Sequence, residues 1–352
     1  MNALNAHDGP RRTTTMADAT RVVAVTGEEV VRLTLDGILP DQAEALLDGV
    51  NARCVAVDPR DPNRIYVGTF DQGLYASHDG GANWRQDERG LDDPRVMSVA
   101  VSPSHQEARV SVVYAGTEPS NLYRSEDAGR SWQRLPALCE LPSEPTWSFP
   151  PRPWTHHVRT IALHPTDPDW LAVGIELGGV MRSRDAGASW LDHNPQAHSD
   201  AHQLLTHPLA PERLYEAAGQ GIARSEDLGQ SWRRLDGGLN RHYAWAQALD
   251  SADPDLWYVA VSRSPVAAHG GGDGQARLFR SRGDGFVPID TWGDAPQLRR
   301  MPYALAALPD QPGRLLVGLR GGALLVTDDA GESWTQLPVG IGDLIDLAVA
   351  SA

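Results

Sequence analysis

An all-β ring of repeated four-stranded sheets is the fold this sequence predicts, and three observations predict it. An eight-residue signature recurs five times along the 352 residues. Each copy sits inside the same succession of four short, β-prone runs. The two ends of the chain carry complementary fragments of that succession, so joining them completes one more unit. Self-similarity at a period of about 20–50 residues marks a repeat architecture.

The five copies are SHDGGANW (77–84), SEDAGRSW (125–132), SRDAGASW (183–190), SEDLGQSW (225–232) and TDDAGESW (327–334), or Ser/Thr-x-Asp-x-Gly-x-x-Trp. A decayed sixth copy starts at Ser281, keeps Gly285 and carries Phe286 near the tryptophan position. Each copy lies between apolar runs and reads as a hairpin turn. The hydroxyl and the carboxylate can accept backbone N–H groups of the turn. The glycine supplies the positive φ that other residues resist. The indole, able to bury about 150–250 Å², is expected to wedge against the neighbouring repeat. The five aspartates are read as turn locks, because one active site does not need the same turn five times.

The strands follow in order. Inner strands read CVAVDP (54–59), SVAVSP (98–103) and TIALHP (160–165), and second strands read IYVG (65–68), VYAG (113–116) and LAVG (171–174). A third strand such as GLYAS (73–77), the signature and a fourth strand complete the unit, and further units start near Gln203, Tyr243 and Tyr303. That makes six complete repeats between 51 and 339. The N-terminal RVVAVT (21–26) and VVRLTL (30–35) lack an inner strand, and the C-terminal LIDLAVA (344–350) is an inner strand standing alone. Pairing them closes the ring and removes the sheet edges that invite aggregation. The expectation is a single seven-bladed β-propeller over 20–352 after a disordered lead at 1–19. Its blades fall near 20–50 plus 341–352, 51–92, 93–140, 156–197, 199–238, 241–292 and 300–339.

The formal net charge is −15, and every basic residue other than histidine is arginine. An acidic chain is a poor partner for nucleic acid or an anionic membrane. No apolar run approaches the ~18 residues of a membrane helix, and residues 1–20 hold no signal-peptide core. A cytoplasmic monomer without a cofactor is expected. Cys54 and Cys139 make no disulfide framework or metal spacing and are expected to be buried.

The signature resembles the Asp-box, or bacterial neuraminidase, repeat from about Thr20 onward. The resemblance implies a β-propeller shared by sialidases, xyloglucanases, sortilin-type receptors and the photosystem II stability/assembly-factor group. It does not imply one activity, since fold and function separate. A sialidase would need an Arg-Ile-Pro-type motif before the first repeat, three arginines and a Tyr–Glu pair. The motif is missing, so the roles are not transferred to Arg159, Arg300, Arg320, Tyr303, Glu176 or Glu118.

The signature turns share one face with the turns after the inner strands, so a site is sought on the opposite face. There the inner strands begin at Arg53, Met97, His156, His157, Arg159, His202, His242, Tyr243, Trp245, Arg299, Arg300 and Tyr303. The loops between second and third strands add Phe70, Asp71, Glu118, Glu176, Gln220, Arg263 and Arg320. Phe70, Asp71, His157, Arg159, His202, Tyr243, Trp245, Tyr303 and Arg320 are the expected ligand-binding residues. They suit a protein segment or a polar ligand, carbohydrate included. The alternative is a glycoside hydrolase with Glu118 and Glu176 as paired carboxylates.

Two insertions frame this face. The proline- and tryptophan-rich 141–154 is expected to form a stiff aromatic lid, and the glycine-rich 264–275 a mobile loop. A metal on His156, His157, His202 and His242 is not assigned, because consecutive strand residues point apart. Glu216 stands in an otherwise apolar row of second-strand positions, where a carboxylate is costly unless paired.

Overall fold

Seven antiparallel sheets surround one axis in the computed structural model, which describes residues 20–36, 39–86, 89–105, 110–283, 285–289 and 298–350. The expected lead at 1–19 lies outside the described residues. The innermost strands are Asp346–Ala350, Ala52–Asp58, Val96–Val101, Val158–Leu163, Ala201–His207, Tyr243–Leu249 and Pro302–Ala307. Each touches the next and the last touches the first, so the ring is closed. We number the blades one to seven in that order.

Closure is achieved as the chain ends require. Blade one runs Asp346–Ala350, Thr20–Val25, Glu29–Asp36, Leu39–Asp48, with Arg21 opposite Ala350, Val23 opposite Ala348 and Val25 opposite Asp346. The C-terminal strand begins two residues later than the apolar run suggested; Leu344 is instead buried between blades seven and one. In blades two and four the fourth strand contracts to one bridge, Ala76–Arg85 and Arg182–Leu191.

The core is divided among the blade interfaces. Seven hydrophobic clusters are found among the described residues, each spanning two consecutive blades. Trp132, Trp190, Trp232 and Trp334 each pack against the preceding blade, as the signature predicted. At the interface of blades five and six the decayed copy supplies Phe286, edge-on to Trp257 at 5.3 Å. Close approach of inner strands explains the glycine ending the second strands. A Cβ on Gly174 would lie 2.6 Å from Thr160 Cγ2 and 3.0 Å from Ala201 Cβ of the next blade.

The five signature turns are near copies. The Ser or Thr hydroxyl donates to Asp Oδ1 at 2.8–2.9 Å and accepts the glycine N–H at 2.7–2.9 Å. The same Oδ1 accepts the N–H of residue 83, 131, 189, 231 or 333 at 2.8–2.9 Å. The glycine is not the sole left-handed residue. The residue before it also has positive φ: Gly80 (75°), Ala128 (59°), Ala186 (55°), Leu228 (56°) and Ala330 (59°). That conformation costs a non-glycine residue roughly 1–2 kcal/mol. It lets the amide of residue 128, 186, 228 or 330 reach the carbonyl of Ser111, Asp169, Glu212 or Gly313 at 2.8–3.1 Å, tying the turn to the loop before the second strand.

Trp232→Ala should destabilise the protein by about 3–5 kcal/mol in chemical denaturation, the cost of an unfilled aromatic site; a change under about 1 kcal/mol would remove the wedge role. A second expectation concerns acid. Bonds from the Asn83 side chain and backbone hold the Asp79 carboxyl down at about 2, and Asp127, Asp185, Asp227 and Asp329 are also lowered. In Asp127, Asp227 and Asp329 burial pushes upward and is outweighed by such bonds. A carboxyl lowered on folding adds stability that is complete above the unfolded value of about 3.9. That stability is lost as pH falls through the folded value. Melting temperature should therefore fall from pH ~4 towards ~2, and Asp79→Asn should flatten that limb.

Candidate functional site

Six of the seven inner strands carry the same irregularity at their mouth end. The register slips between Ala52 and Cys54, Val96 and Ser98, Val158 and Thr160, Ala201 and Gln203, Ala244 and Ala246, and Pro302 and Ala304. One residue is left over in each: Arg53, Met97, Arg159, His202, Trp245 or Tyr303. A β-bulge re-aims the extra side chain, and all six line the mouth or the channel beneath it. All six are positions the sequence marks at the inner-strand entries, and Arg53 and Met97 join the expected ligand-binding residues at the mouth.

The main cavity holds about 930 Å³. Of the expected residues, Phe70, His157, Arg159, Glu176, Tyr243 and Trp245 line it. His202 lies below in the channel wall, while Tyr303 and Arg320 line an adjoining recess of about 590 Å³ shared with Arg53. Asp71 is exposed and outside the cavity wall.

The blade two and three side of the mouth is cationic. Arg53, Arg95 and Arg152 place guanidinium carbons 5.0–5.1 Å from the Phe70 ring centroid, within cation–π range. Glu118 is buried under them. Arg95 Nη1 donates to its Oε1 at 3.1 Å, Arg152 Nε to the same oxygen at 2.7 Å, and Arg152 Nη2 to Oε2. Arg53 has no carboxylate within ion-pair distance among the described residues. Its Nη2 donates to Asn51 Oδ1 at 2.9 Å, and its buried Nε has no acceptor. Burial, then the Arg152 charge, lower its pKa, with Asp71 opposing.

Blades four and five supply the acidic part. His157 Nε2 lies 3.2 Å from Glu176 Oε2, and Arg159 Nε 3.9 Å from the same oxygen. Burial pushes the Glu176 carboxyl up, but the His157 bond and the charges of His202, His157 and Arg159 win and hold it at about 2. The other face of His157 meets Glu118 at 3.9 Å, so its imidazole stands between the two expected catalytic carboxylates. As an acid/base pair they fail on geometry: both Glu118 oxygens are taken by arginine, and a ring fills the gap.

Blades six and seven make an aromatic wall. Arg159 stacks over Trp245 at 4.6 Å. His269 lies edge-on to Trp245 at 4.5 Å, its Nε2 2.6 Å from the Tyr243 hydroxyl and its Nδ1 bonded to that of Tyr303. Burial first, then His202, Arg159 and Arg320 against Glu176, lower its pKa to about 4, so the ring is neutral at pH 7. His269 was missed by sequence. It ends a short helix, Pro265–His269, capped by Ser264, so this part of the glycine-rich insertion is ordered structure. The Ser-Pro pair is an N-cap signal that the neighbouring glycines masked.

The other insertion splits. Trp147 is buried against blades three and four, while Phe149, Pro150, Pro151 and Arg152 cross the mouth. Trp154 is 77% exposed and does not line the cavity. His156 turns to Glu144 at 3.4 Å, and the His242 side chain is 54% exposed 3.8 Å from Asp236, so His156, His157, His202 and His242 do not converge. Cys139 is half-buried, its Sγ donating to the Ser120 carbonyl at 2.8 Å. Glu216 is fully buried away from the mouth, without an arginine bond among the described residues; the His198 N–H donates to it at 3.0 Å, and burial raises its pKa to about 8.

No protein-family profile and no curated protein matches this sequence. Solved structures do. The GH74 xyloglucanase from Xanthomonas campestris is 18% identical with a TM-score of 0.61, over 90% of this chain and 47% of that one. YCF48 bound to D1 peptide is 17% identical with a TM-score of 0.57, over 90% of this chain and 85% of that one. YCF48 from Cyanidioschyzon merolae gives 14% and 0.55, over 91% and 88%. This chain spans less than half of the xyloglucanase, and at such identities the likeness is one of fold. That fold carries both a glycoside hydrolase and a peptide-binding protein.

Glu118→Gln should cost about 2–3 kcal/mol, below the ~3–5 of a fully buried pair because both guanidiniums reach water. Hydrogen exchange across 141–154 should quicken as Arg152 loses its anchor; unchanged exchange there would deny Glu118 its strut role.

Proposed function

We propose that this propeller is a non-catalytic binding protein whose mouth takes an extended protein segment bearing a carboxylate. Arg53 carries the proposal. It is a half-buried guanidinium in the wall of the main cavity at the mouth, without a carboxylate partner among the described residues and with a buried donor unused. A guanidinium so placed is a preorganised fork for a carboxylate. Phe70 and Asn51 hold it in place, and the aromatic wall from Tyr243 to Tyr303 offers a surface for apolar side chains or rings. The cavity volume suits a few residues of an extended chain. The net charge of −15 repels an acidic partner at long range, so the local arginines set selectivity rather than encounter rate. YCF48, which binds D1 peptide, is support from fold alone. The hydrolase reading is not favoured, because Glu118 offers a substrate no oxygen.

A peptide array in free-acid and C-terminally amidated forms, followed by fluorescence anisotropy, tests the proposal. Binding should favour free or side-chain carboxylates. Arg53→Ala should weaken it about 10- to 100-fold, the worth of one charge-assisted pair. Equal binding by Arg53→Ala, or turnover of a glycoside with no peptide bound, would overturn it.

A further inference from the structure

Glu176, Asp200 and His202 meet at the junction of cavity and channel, with their ligand atoms all within 4.8 Å of one another. His202 sits on the blade-five bulge and is 1% exposed. Its Nδ1 lies 2.6 Å from the Ala244 carbonyl, which can only accept, so Nδ1 carries the proton. That leaves Nε2 as the ring atom turned towards the carboxylates. It is buried, makes no hydrogen bond, and lies 3.5 Å from Asp200 Oδ1. Asp200 comes from the loop preceding the same strand. Gly219 leaves room for it, since a Cβ there would collide with Asp200 Oδ2. Glu176 comes from blade four, and His157 and Arg159 both approach its Oε2.

Three possible ligand atoms thus converge, one of them a buried imidazole nitrogen that makes no hydrogen bond. A buried polar atom without a partner is costly, and a cation at the centre of this set would satisfy it together with both carboxylates. We infer that Glu176, Asp200 and His202 form a binding site for a divalent metal ion of the zinc class. One imidazole with two carboxylates is a borderline donor set, suited to zinc rather than to an all-oxygen calcium site. Bonds of about 2.0–2.2 Å in tetrahedral array put ligand atoms about 3.3–3.6 Å apart. The His202–Asp200 separation of 3.5 Å already fits. The widest separation needs roughly 1 Å of closure to reach that spacing, within reach of two part-exposed carboxylates.

The surroundings match a metal centre. The bond from His202 Nδ1 to a backbone carbonyl fixes tautomer and ring orientation, the usual outer contact of a ligating histidine. His157 Nε2 holds the Glu176 carboxylate by one oxygen at 3.2 Å. Arg159 is the opposing charge, but its guanidinium is drawn over Trp245 and stays 3.9 Å from the carboxylate. Glu176 and Asp200 also line the cavity, so remaining coordination positions face it and would take water or an oxygen of a bound molecule. The site stands independently of the peptide reading, because an ion can bind with the mouth otherwise empty.

The test uses tag-free, full-length protein stripped with chelator and titrated with zinc by calorimetry, with manganese, magnesium and calcium as parallel arms. One zinc per chain is expected, bound at least tenfold more tightly than magnesium or calcium. Asp200→Asn and Glu176→Gln should each weaken zinc at least tenfold, and His202→Ala should abolish it. Asp200→Asn lies at the cavity wall and should keep the wild-type circular dichroism and melting temperature measured without metal, so its loss of affinity reads the site and not the fold. Cobalt in place of zinc should give visible d–d bands that disappear in Asp200→Asn. Absence of stoichiometric zinc, wild-type affinity in Asp200→Asn, or preference for calcium would overturn the inference.

Discussion

Closure of the ring is the constraint on which everything else rests. Each blade exposes an apolar face that only the next blade can cover, and the seven clusters found among the described residues all lie at such junctions. Covering the last two faces requires the strand Asp346–Ala350 to pair with Thr20–Val25. Its Asp346 is itself tied across the junction, accepting the Val55 N–H at 3.0 Å. Burial raises that carboxyl to about 6, so the closing strand carries a charge at neutral pH that the folded state disfavours. The fold tolerates it because ring closure removes two uncovered faces at once.

The repeated bulge converts a symmetric scaffold into an asymmetric site. Strand alternation would send every second residue into the blade interface. A surplus residue escapes that alternation and turns to the axis. Six blades make the same detour with different side chains: Arg53, Met97, Arg159, His202, Trp245 and Tyr303. Backbone geometry is thus repeated while chemistry is not. Around the rim a cationic sector at blades two and three passes into a carboxylate–imidazole sector at four and five and an aromatic one at six and seven.

The insertions bind these sectors together. Arg152 reaches from the first insertion to the buried Glu118, and His269 reaches from the second to Tyr243 and Tyr303. Each contributes one polar side chain that is fully engaged on arrival. The mouth is therefore a preorganised surface, in which few groups must move to receive a guest.

Fold and blade number were legible in the sequence, because the signature couples a turn to a wedge and recurs at the same place in the strand order of five blades. The bulge positions were legible too, as chain-equivalent places where Arg, His and aromatic residues accumulate. Local pattern could not tell that Glu118 and Glu176 end on opposite sides of His157, since the two come from different blades and their separation is set by the ring. Nor could it show that Trp147 is core and Trp154 solvent, or that Asp200 and His269 belong to the mouth. Chain order decides which residues a strand presents; only packing around the axis decides which of them share a volume and which partners consume their charge.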